Sequence, residues 1–225
     1  MKVIGHRGAA GLALEHTEAS IAAARKAKVA AIELDVRLTK DKQLLVCHDE
    51  DLERVSGRNI RVRSRDLASL KRVKLLDGQR PLSLKDVLKL RKNTPLIIEL
   101  KDAKSAKLLL DVVAKEKRLS VASKRYEEVR IVHEARPDID IYLIAGPHPL
   151  AVIKKAEFYD AQGVAVNMWF INPVTYRKAK RRRLEIFIYT PNHPLVVWWL
   201  HLWYPKAAIC TDRPDRYHKP TGRSR

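Results

Sequence analysis

The sequence predicts an α/β fold in which short strands alternate with helices and close into a single (β/α)8 barrel of the TIM type. Short apolar runs recur along the 225-residue chain, and most are separated by stretches with helical spacing of apolar residues. This alternation is typical of parallel β/α units, and a closed eight-fold barrel accounts for the number of runs. In addition, ionisable residues stand at the ends of several runs, where barrels of this type carry their active residues.

The elements are predicted in order from these patterns. Strands are predicted at 1–8, 31–36, 96–101, 119–122, 140–145, 163–167, 185–189 and 207–211, with a further apolar run at 44–49. Helices are predicted at 15–28, 83–90, 103–117, 126–135, 149–158, 173–182 and 195–204. Thr17 is a candidate N-cap, and Ser83 with Asp86 matches a capping box. Residues 49–81 are polar and basic, which predicts one small insertion after the second strand of a single domain covering 1–225.

The run at 31–36 contains two carboxylates, Glu33 and Asp35. Because strand side chains alternate between faces, both carboxylates must point to the same side, with the apolar side chains on the other. A solvated strand edge would give the same pattern. Buried carboxylates close together, however, are costly unless they hold a cation or share a proton. The pair is therefore a candidate cation site.

Further ionisable residues occupy equivalent positions. His6 and Arg7 follow the first apolar run, His48 lies at the end of the run at 44–49, and Glu99 and Lys101 stand two apart in a third run. A single histidine after a strand is more often a hydrogen-bonded structural residue. The joint pattern is much more specific than any one member, and it indicates a common site.

Several motifs together resemble the glycerophosphodiester phosphodiesterase family. They are GHRG at 5–8, LEHTEAS at 14–20, IELDVRLTKD at 32–41, HDEDLER at 48–54, IIELK at 97–101 and TDRPD at 211–215. The resemblance covers nearly the whole chain and is strongest over 5–54 and around Glu99. Where the family pattern reads Pro-Glu-Asn-Thr, this chain has Leu14, Glu15, His16 and Thr17, so His16 departs from it. The resemblance also implies the barrel fold.

The resemblance assigns the family's metal ligands to Glu33, Asp35 and Glu99. Their hard oxygen atoms suit Mg²⁺ or Ca²⁺ better than zinc. Arg7 and Lys101 are natural partners for the anionic oxygens of a phosphate, although they could also pair with the carboxylates themselves.

The two histidines, His6 and His48, match the family's acid/base pair. Phosphodiester cleavage needs one group that accepts a proton and another that donates one, and histidines titrate near neutrality. The alternative is that they complete a five-ligand transition-metal site. Glu15 is expected behind the site, where it would hold Arg7 or a metal-bound water.

The expected function is therefore metal-dependent hydrolysis of glycerophosphodiesters, small-molecule substrates, to glycerol 3-phosphate and an alcohol. The resemblance implies that the glycerol 2-hydroxyl attacks phosphorus first. One alternative is the same machinery acting on lysophospholipids in a membrane. Another is a non-catalytic basic barrel that binds anionic polymers, which the complete set of site residues argues against. Trp169, Tyr189 and Asn192 are candidate walls of the pocket, and Asp212 fits a structural cap as well as a catalytic task.

The net charge of +19 arises from 45 Lys and Arg residues against 26 Asp and Glu residues. Such a charge attracts anions in general. The basic runs at 61–65, 177–183 and 219–225 are interpreted as solvated helix faces or tails. No zinc-knuckle spacing or aromatic RNA-binding signature accompanies them, so no specific nucleic-acid partner is expected.

Other features predict a cytoplasmic protein. The first strand follows Met1 directly, which leaves no room for a cleaved signal, and no apolar run is long enough to span a bilayer. Cys47 and Cys210 lie in apolar runs, which predicts buried free thiols in a reducing compartment.

The helix predicted at 195–204, LVVWWLHLWY, is unusually aromatic. Trp198, Trp199, Trp203 and Tyr204 are too close together to share one face, so some must be exposed unless something covers them. The candidates are a homo-oligomer interface, then peripheral membrane contact, then the insertion at 49–81.

Overall fold

The structure is a computed structural model that describes residues 1–217, and the basic run at 219–225 lies outside the described residues. Within 1–217, eight parallel strands close into a barrel, in which the last strand pairs with the first. This is the predicted (β/α)8 barrel. The strands are β1 (Val3–Gly5), β2 (Ala31–Leu38), β3 (Leu44–Val46), β4 (Leu96–Leu100), β5 (Leu119–Ser123), β6 (Asp140–Ile144), β7 (Gly163–Asn167), β8 (Glu185–Tyr189) and β9 (Ala208–Thr211).

The helices surround the barrel, and most of them agree with the sequence pattern. They are α1 (Glu18–Lys26), α2 (Glu53–Ser56), α3 (Leu67–Leu70), α4 (Leu84–Leu90), α5 (Ala106–Val112), α6 (Tyr126–Ala135), α7 (Pro149–Phe158), α8 (Pro173–Arg181) and α9 (Pro194–Trp203). Both predicted N-caps are confirmed. The side chain of Thr17 accepts from the backbone N–H of Ser20, and that of Ser83 accepts from the backbone N–H of Asp86.

Helix α5 is shorter than predicted, because it stops at Val112 instead of 117. The guanidinium of Arg136 donates to the carbonyls of Val113, Ala114 and Glu116 at 3.1–3.2 Å. These carbonyls thus accept hydrogen bonds from Arg136, which directly follows α6, instead of from a further turn of α5. A tertiary contact therefore overrides the local helix propensity.

The apolar run at 44–49 does not form a barrel strand. Only Leu44–Val46 is extended, and it returns antiparallel along the end of β2, with Val36 opposite Val46. The backbone N–H of Cys47 then donates to the carbonyl of Asp35 at 3.1 Å. His48 is thus brought to the level of Asp35 by a hairpin rather than by a barrel strand of its own.

The segment at 49–81 contains α2, α3 and a 3₁₀ turn at Val62–Ser64. Its apolar side chains, including Leu52 and Leu70, form a small cluster of their own over Leu45 and Cys47. The assignment of 1–225 to one domain with this insertion stays a prediction.

Two apolar layers position the site. The larger lies between the strands and the outer helices, and the smaller fills the inside of the barrel with residues such as Ile4, Ala31 and Ile97. Because the side-chain period of a strand is two, Glu33 and Asp35 follow Ala31 on the inner face, and Glu99 follows Ile97. The site therefore lies directly above the inner core. No helix within 1–217 combines the length and apolarity that crossing a bilayer requires.

Candidate active site

A cavity of about 230 Å³ lies at the C-terminal end of the barrel. Seven of the eight predicted site residues line it: His6, Arg7, Glu33, Asp35, His48, Glu99 and Lys101. The register of the sheet explains this convergence, because Asp35 pairs directly with Glu99 across β2 and β4. Of the three candidate wall residues, Tyr189 lines the cavity, whereas Trp169 and Asn192 do not.

Three carboxylates form the base of the cavity. One oxygen from each of Glu33, Asp35 and Glu99 lies within 4.8 Å of the others. Lys101 Nζ lies 3.1 Å from Asp35 Oδ1 and donates to Glu99 Oε1 at 2.8 Å. The lysine therefore partly offsets the charge of two of the three acids.

The pKa values of the three acids differ because their partners differ. Burial, together with the charge of Asp35, raises the pKa of Glu33 to about 8. The same two causes raise the pKa of Glu99. Burial alone would also raise the pKa of Asp35, but the hydrogen bond and charge of His16 and the charge of Lys101 hold it below its ordinary value. The cluster thus has more carboxylates than nearby cations can fully stabilise, which fits a site for a divalent ion with hard oxygen ligands.

His16 is a site residue that the sequence analysis left out. It is buried, and its Nε2 donates to Asp35 Oδ2 at 3.0 Å. Its Nδ1 is buried without a hydrogen-bond partner among the residues described. The only signal in the sequence was that a histidine stands where the family pattern has asparagine.

The GHRG motif at 5–8 makes a tight turn that places the side chains of His6 and Arg7 in the cavity. His6 donates its backbone N–H to the carbonyl of Thr211 at 2.9 Å, and Gly8 donates to the carbonyl of Glu33 at 3.1 Å. Gly8 has φ +87°, and an added Cβ would lie 2.4 Å from the hydroxyl oxygen of Ser20. The turn therefore requires glycine at this position.

Arg7 connects the carboxylates to the residues behind them. Its backbone N–H donates to Glu33 Oε2 at 2.9 Å, and its Nη1 donates to the two oxygens of Glu15 at 3.0 and 3.1 Å. Arg54 donates to the same two oxygens at 2.7 and 2.8 Å. Glu15 thus contacts Arg7 as expected. It does not line the cavity.

His6 is oriented by two residues from the far end of the chain. Its Nδ1 donates to Asp212 Oδ1 at 2.6 Å, and Asn192 donates to the other oxygen of Asp212 at 2.6 Å. Burial alone would lower the pKa of His6, but the hydrogen bond to Asp212 and the charges of Glu33 and Asp212 outweigh it, so the pKa is raised. Asp212 therefore acts on the histidine, beyond the capping role that the sequence allowed.

His48 has a similar arrangement from within its own loop. Its Nδ1 donates to Asp49 Oδ1 at 2.7 Å, and Arg54 donates to Asp49 Oδ2 at 2.7 Å. Burial lowers the pKa of His48, and the charge of Asp35 and the hydrogen bond to Asp49 do not restore it. In both histidines, Nε2 is the nitrogen that remains for a substrate.

The chain is similar to known phosphodiesterases in sequence and in fold. The model of the glycerophosphoryl diester phosphodiesterase family matches residues 6–107. The chain is 30% identical to the Bacillus subtilis protein named "Putative glycerophosphodiester phosphodiesterase YhdW", over 96% of each chain. It is 35% identical to human lysophospholipase D GDPD1 over 114 residues, 44% of this chain and 36% of that protein.

Among solved structures, a phosphodiesterase of Oleispira antarctica in complex with the product sn-glycerol-3-phosphate superposes with a TM-score of 0.88. It is 22% identical, and the match covers 96% of this chain and 94% of that one. This likeness shows the barrel fold, and the match to YhdW over the full length shows the family. The chain belongs to the glycerophosphodiester phosphodiesterase family and is an enzyme of that class.

Proposed function

We propose that the protein hydrolyses glycerophosphodiesters to glycerol 3-phosphate and an alcohol, with a divalent ion held by Glu33, Asp35 and Glu99. The observation that carries this proposal is the presence, in one cavity, of three clustered carboxylates and two histidines whose Nδ1 atoms are held by further carboxylates. The product bound to the Oleispira antarctica neighbour supports glycerol 3-phosphate as the product here. Membership of an enzyme family argues against a purely anion-binding role.

The three carboxylates fit Mg²⁺ or Ca²⁺. Glu33 and Asp35 are almost fully buried, and burial together with the charge of Asp35 raises the pKa of Glu33. A bound divalent ion would supply Lewis-acid polarisation of a phosphoryl oxygen. His16 would keep Asp35 in its ionised form and in a fixed orientation.

Arg7 and Lys101 would bind the phosphate. The Nε atom of Arg7 is buried without a hydrogen-bond partner among the described residues and lies 3.6 Å from Asp35 Oδ2. Lys101 reaches the same region through Nζ. An anionic phosphate oxygen would satisfy both cations, since guanidinium and ammonium groups prefer charged acceptors. Glu15 would keep Arg7 in place.

The two histidines would divide the proton transfers. Because the pKa of His48 is lowered, His48 is neutral at pH 7 and can accept the proton of the glycerol 2-hydroxyl as this oxygen attacks phosphorus. Because the pKa of His6 is raised, His6 keeps its proton more readily and can donate it to the departing alcohol oxygen. In the second step a water molecule opens the cyclic phosphate, and the two histidines exchange roles.

Intramolecular attack is favourable because the hydroxyl is already held near phosphorus, and such reactions reach effective molarities of about 10⁵ M or more. A glycerophosphodiester analogue lacking the 2-hydroxyl tests this route, because it keeps the charge but loses the nucleophile. We expect it to bind as an inhibitor without being cleaved. Cleavage at the rate of the parent compound would show that water attacks directly.

Chelation followed by metal addition tests the cofactor. After treatment with EDTA, hydrolysis of glycerophosphocholine and glycerophosphoethanolamine should be lost, and Mg²⁺ or Ca²⁺ should restore it. Full activity in the presence of the chelator would contradict the metal assignment.

A second candidate substrate is a lysophospholipid. It is favoured by an apolar groove of about 450 Å³ that begins next to the cavity. The partial match to the human lysophospholipase D, which covers less than half of each chain, also favours this substrate. Direct comparison of lysophosphatidylcholine with glycerophosphocholine distinguishes the two, because a preference for the soluble diester would remove this candidate.

A further inference from the structure

Helix α9 exposes its apolar side instead of burying it. The expectation that the three tryptophans could not share one face is wrong, because residues three and four apart lie on the same side of a helix; Tyr204, by contrast, is buried. Leu195, Trp198, Trp199, Leu202 and Trp203 follow the i, i+3, i+4, i+7, i+8 spacing of one helix face, and each is more than half exposed. Only Val197 of this helix is fully buried against the barrel. This spacing is typical of a helix face that packs against an apolar surface, yet no described residue covers it.

The loop after β7 extends this face. Trp169 is exposed by 78%, and Phe170 beside it is also exposed. A groove of about 450 Å³ separates this loop region from α9 and is lined by Met168, Ile171 and Trp199, among others. We call the exposed face of α9 together with Trp169 and Phe170 the aromatic surface.

The aromatic surface borders the active site. The side chain of Asn167 lines the cavity, and it accepts from the backbone N–H of Trp169 at 3.0 Å. Thr190 also lines the cavity, and α9 begins four residues later at Pro194. Four residues span at most about 14 Å of extended chain, so both parts of the surface start at the rim of the cavity.

Helix α8, whose Tyr176 packs on Tyr204 at the end of α9, is strongly basic. It carries Arg177, Lys178, Lys180 and Arg181 and no acidic residue, and Arg177 and Arg181 are exposed. Lys206, which is exposed, lies next to the groove, because its backbone N–H donates to the hydroxyl of Tyr176, and the Tyr176 ring packs on Tyr204.

We propose that the aromatic surface docks the enzyme onto a bilayer that contains anionic lipid, with the mouth of the active site beside the membrane. Tryptophan is enriched where proteins meet the headgroup region, because its ring is apolar and its N–H is polar. Basic residues beside an apolar helix face add attraction to anionic headgroups. A helix of 10 residues is about 15 Å long, so α9 would lie in the interface.

Charge also distinguishes the membrane from a second copy of the chain. A dimer formed through this surface would bring two strongly basic segments together, each part of a chain with net charge +19. Like charges oppose that contact, whereas an anionic bilayer offsets them. The same charge distribution therefore favours a lipid partner over a second copy.

The protein supplies its own reporter for this proposal. Its four tryptophans are Trp169, Trp198, Trp199 and Trp203, and all belong to the aromatic surface. We expect their fluorescence to shift to shorter wavelength when vesicles of phosphatidylglycerol and phosphatidylcholine are added, and the protein to float with the vesicles. Binding to vesicles of phosphatidylcholine alone should be about tenfold weaker or more, since the electrostatic attraction is then missing.

Variants separate the aromatic contribution from charge. Replacing Trp198→Ser and Trp199→Ser together should weaken binding to anionic vesicles by at least about tenfold, because apolar area is lost from the contact. Phe158→Ser removes an exposed aromatic ring from α7, outside the aromatic surface, and should bind as the wild type does. Both variants should retain the wild-type circular dichroism spectrum and hydrolyse a soluble diester normally.

Three results would overturn the proposal. One is the absence of a spectral shift and of flotation with anionic vesicles at low salt. Another is equal binding by the wild type and the double tryptophan variant, which would show that charge alone acts. The third is a concentration-dependent blue shift without lipid together with sedimentation as a dimer, which would assign the surface to a second copy. All these measurements detect binding without turnover, so they are independent of the proposed reaction.

Discussion

Replacement of Glu33 by glutamine should stabilise the metal-free protein while abolishing its activity. Glu33 is 5% exposed, and burial with the charge of Asp35 raises its pKa to about 8 from an ordinary value of 4.5. Glutamine keeps nearly the same shape and can still accept the hydrogen bond from the backbone N–H of Arg7. The substitution removes only the ionisable carboxyl, whose ionisation the folded protein disfavours.

The magnitude follows from proton linkage. Below pH 4.5 the carboxyl of Glu33 is protonated in both the folded and the unfolded protein, so it does not affect the balance. As the pH rises toward 8, the carboxyl of Glu33 ionises in the unfolded chain but keeps its proton in the folded protein. The free energy of unfolding therefore falls progressively over this interval. Each pH unit in this interval costs about 1.36 kcal/mol, which gives about 3 kcal/mol by pH 7.

The assay is urea unfolding in EDTA at several pH values between 4.5 and 8. The free energy of unfolding of Glu33→Gln should rise relative to the wild type by about 3 kcal/mol between pH 4.5 and pH 7. Addition of Mg²⁺ or Ca²⁺ should stabilise the wild type by mass action and the variant much less. The metal should therefore reduce the difference in free energy of unfolding by which the variant exceeds the wild type. Glu50→Gln, which alters an exposed carboxylate outside the cavity, is the matched control.

Parallel pH curves for the wild type and Glu33→Gln would refute the reasoning, since Glu33 would then ionise alike in the folded and unfolded states. Equal stabilisation of both proteins by the metal would show that Glu33 is not a ligand.

Other perturbations test the remaining roles in the site. Asp35→Asn and Glu99→Gln should each weaken divalent-ion binding measured by calorimetry, and unchanged affinity in both would contradict the ligand assignment. His6→Ala and His48→Ala should each retain the fold and the metal but lower kcat by about 10²–10⁴-fold, the usual contribution of one acid or base; a smaller loss in either would remove that residue from the acid/base pair. Asp212→Asn removes the negative charge that helps to raise the pKa of His6, so the loss of activity on the alkaline side should begin at lower pH; an unchanged alkaline limb would mean that His6 is not the proton donor.

The barrel could be predicted because its strands are buried and read as separate apolar runs. The helices at Tyr126–Ala135 and Pro149–Phe158 agree with the predicted bounds, since each begins and ends within a clear amphipathic pattern. The carboxylates were also visible, because a charged residue within an apolar run stands out. Local sequence was sufficient for these features.

The rest depends on contacts between distant parts of the chain. The bond between His6 and Asp212 joins residues 206 positions apart, and nothing near either residue indicates the other. The contact of His16 with Asp35 requires the loop before α1 to fold under the end of β2. The exposed aromatic surface was foreseen from the spacing of the tryptophans in α9, but its position at the rim of the cavity follows only from the closed barrel.

The closure of the barrel between β1 and β9 has a consequence for synthesis of the protein. His6 leaves the ribosome well before the carboxylate that orients it, which is made 206 positions later. The edge of β1 that pairs with β9 stays unpaired until Ala208–Thr211 has emerged. Contacts this distant in sequence form late. A nascent chain therefore lacks both the partner strand of β1 and the carboxylate that orients His6 until the end of the barrel has been made.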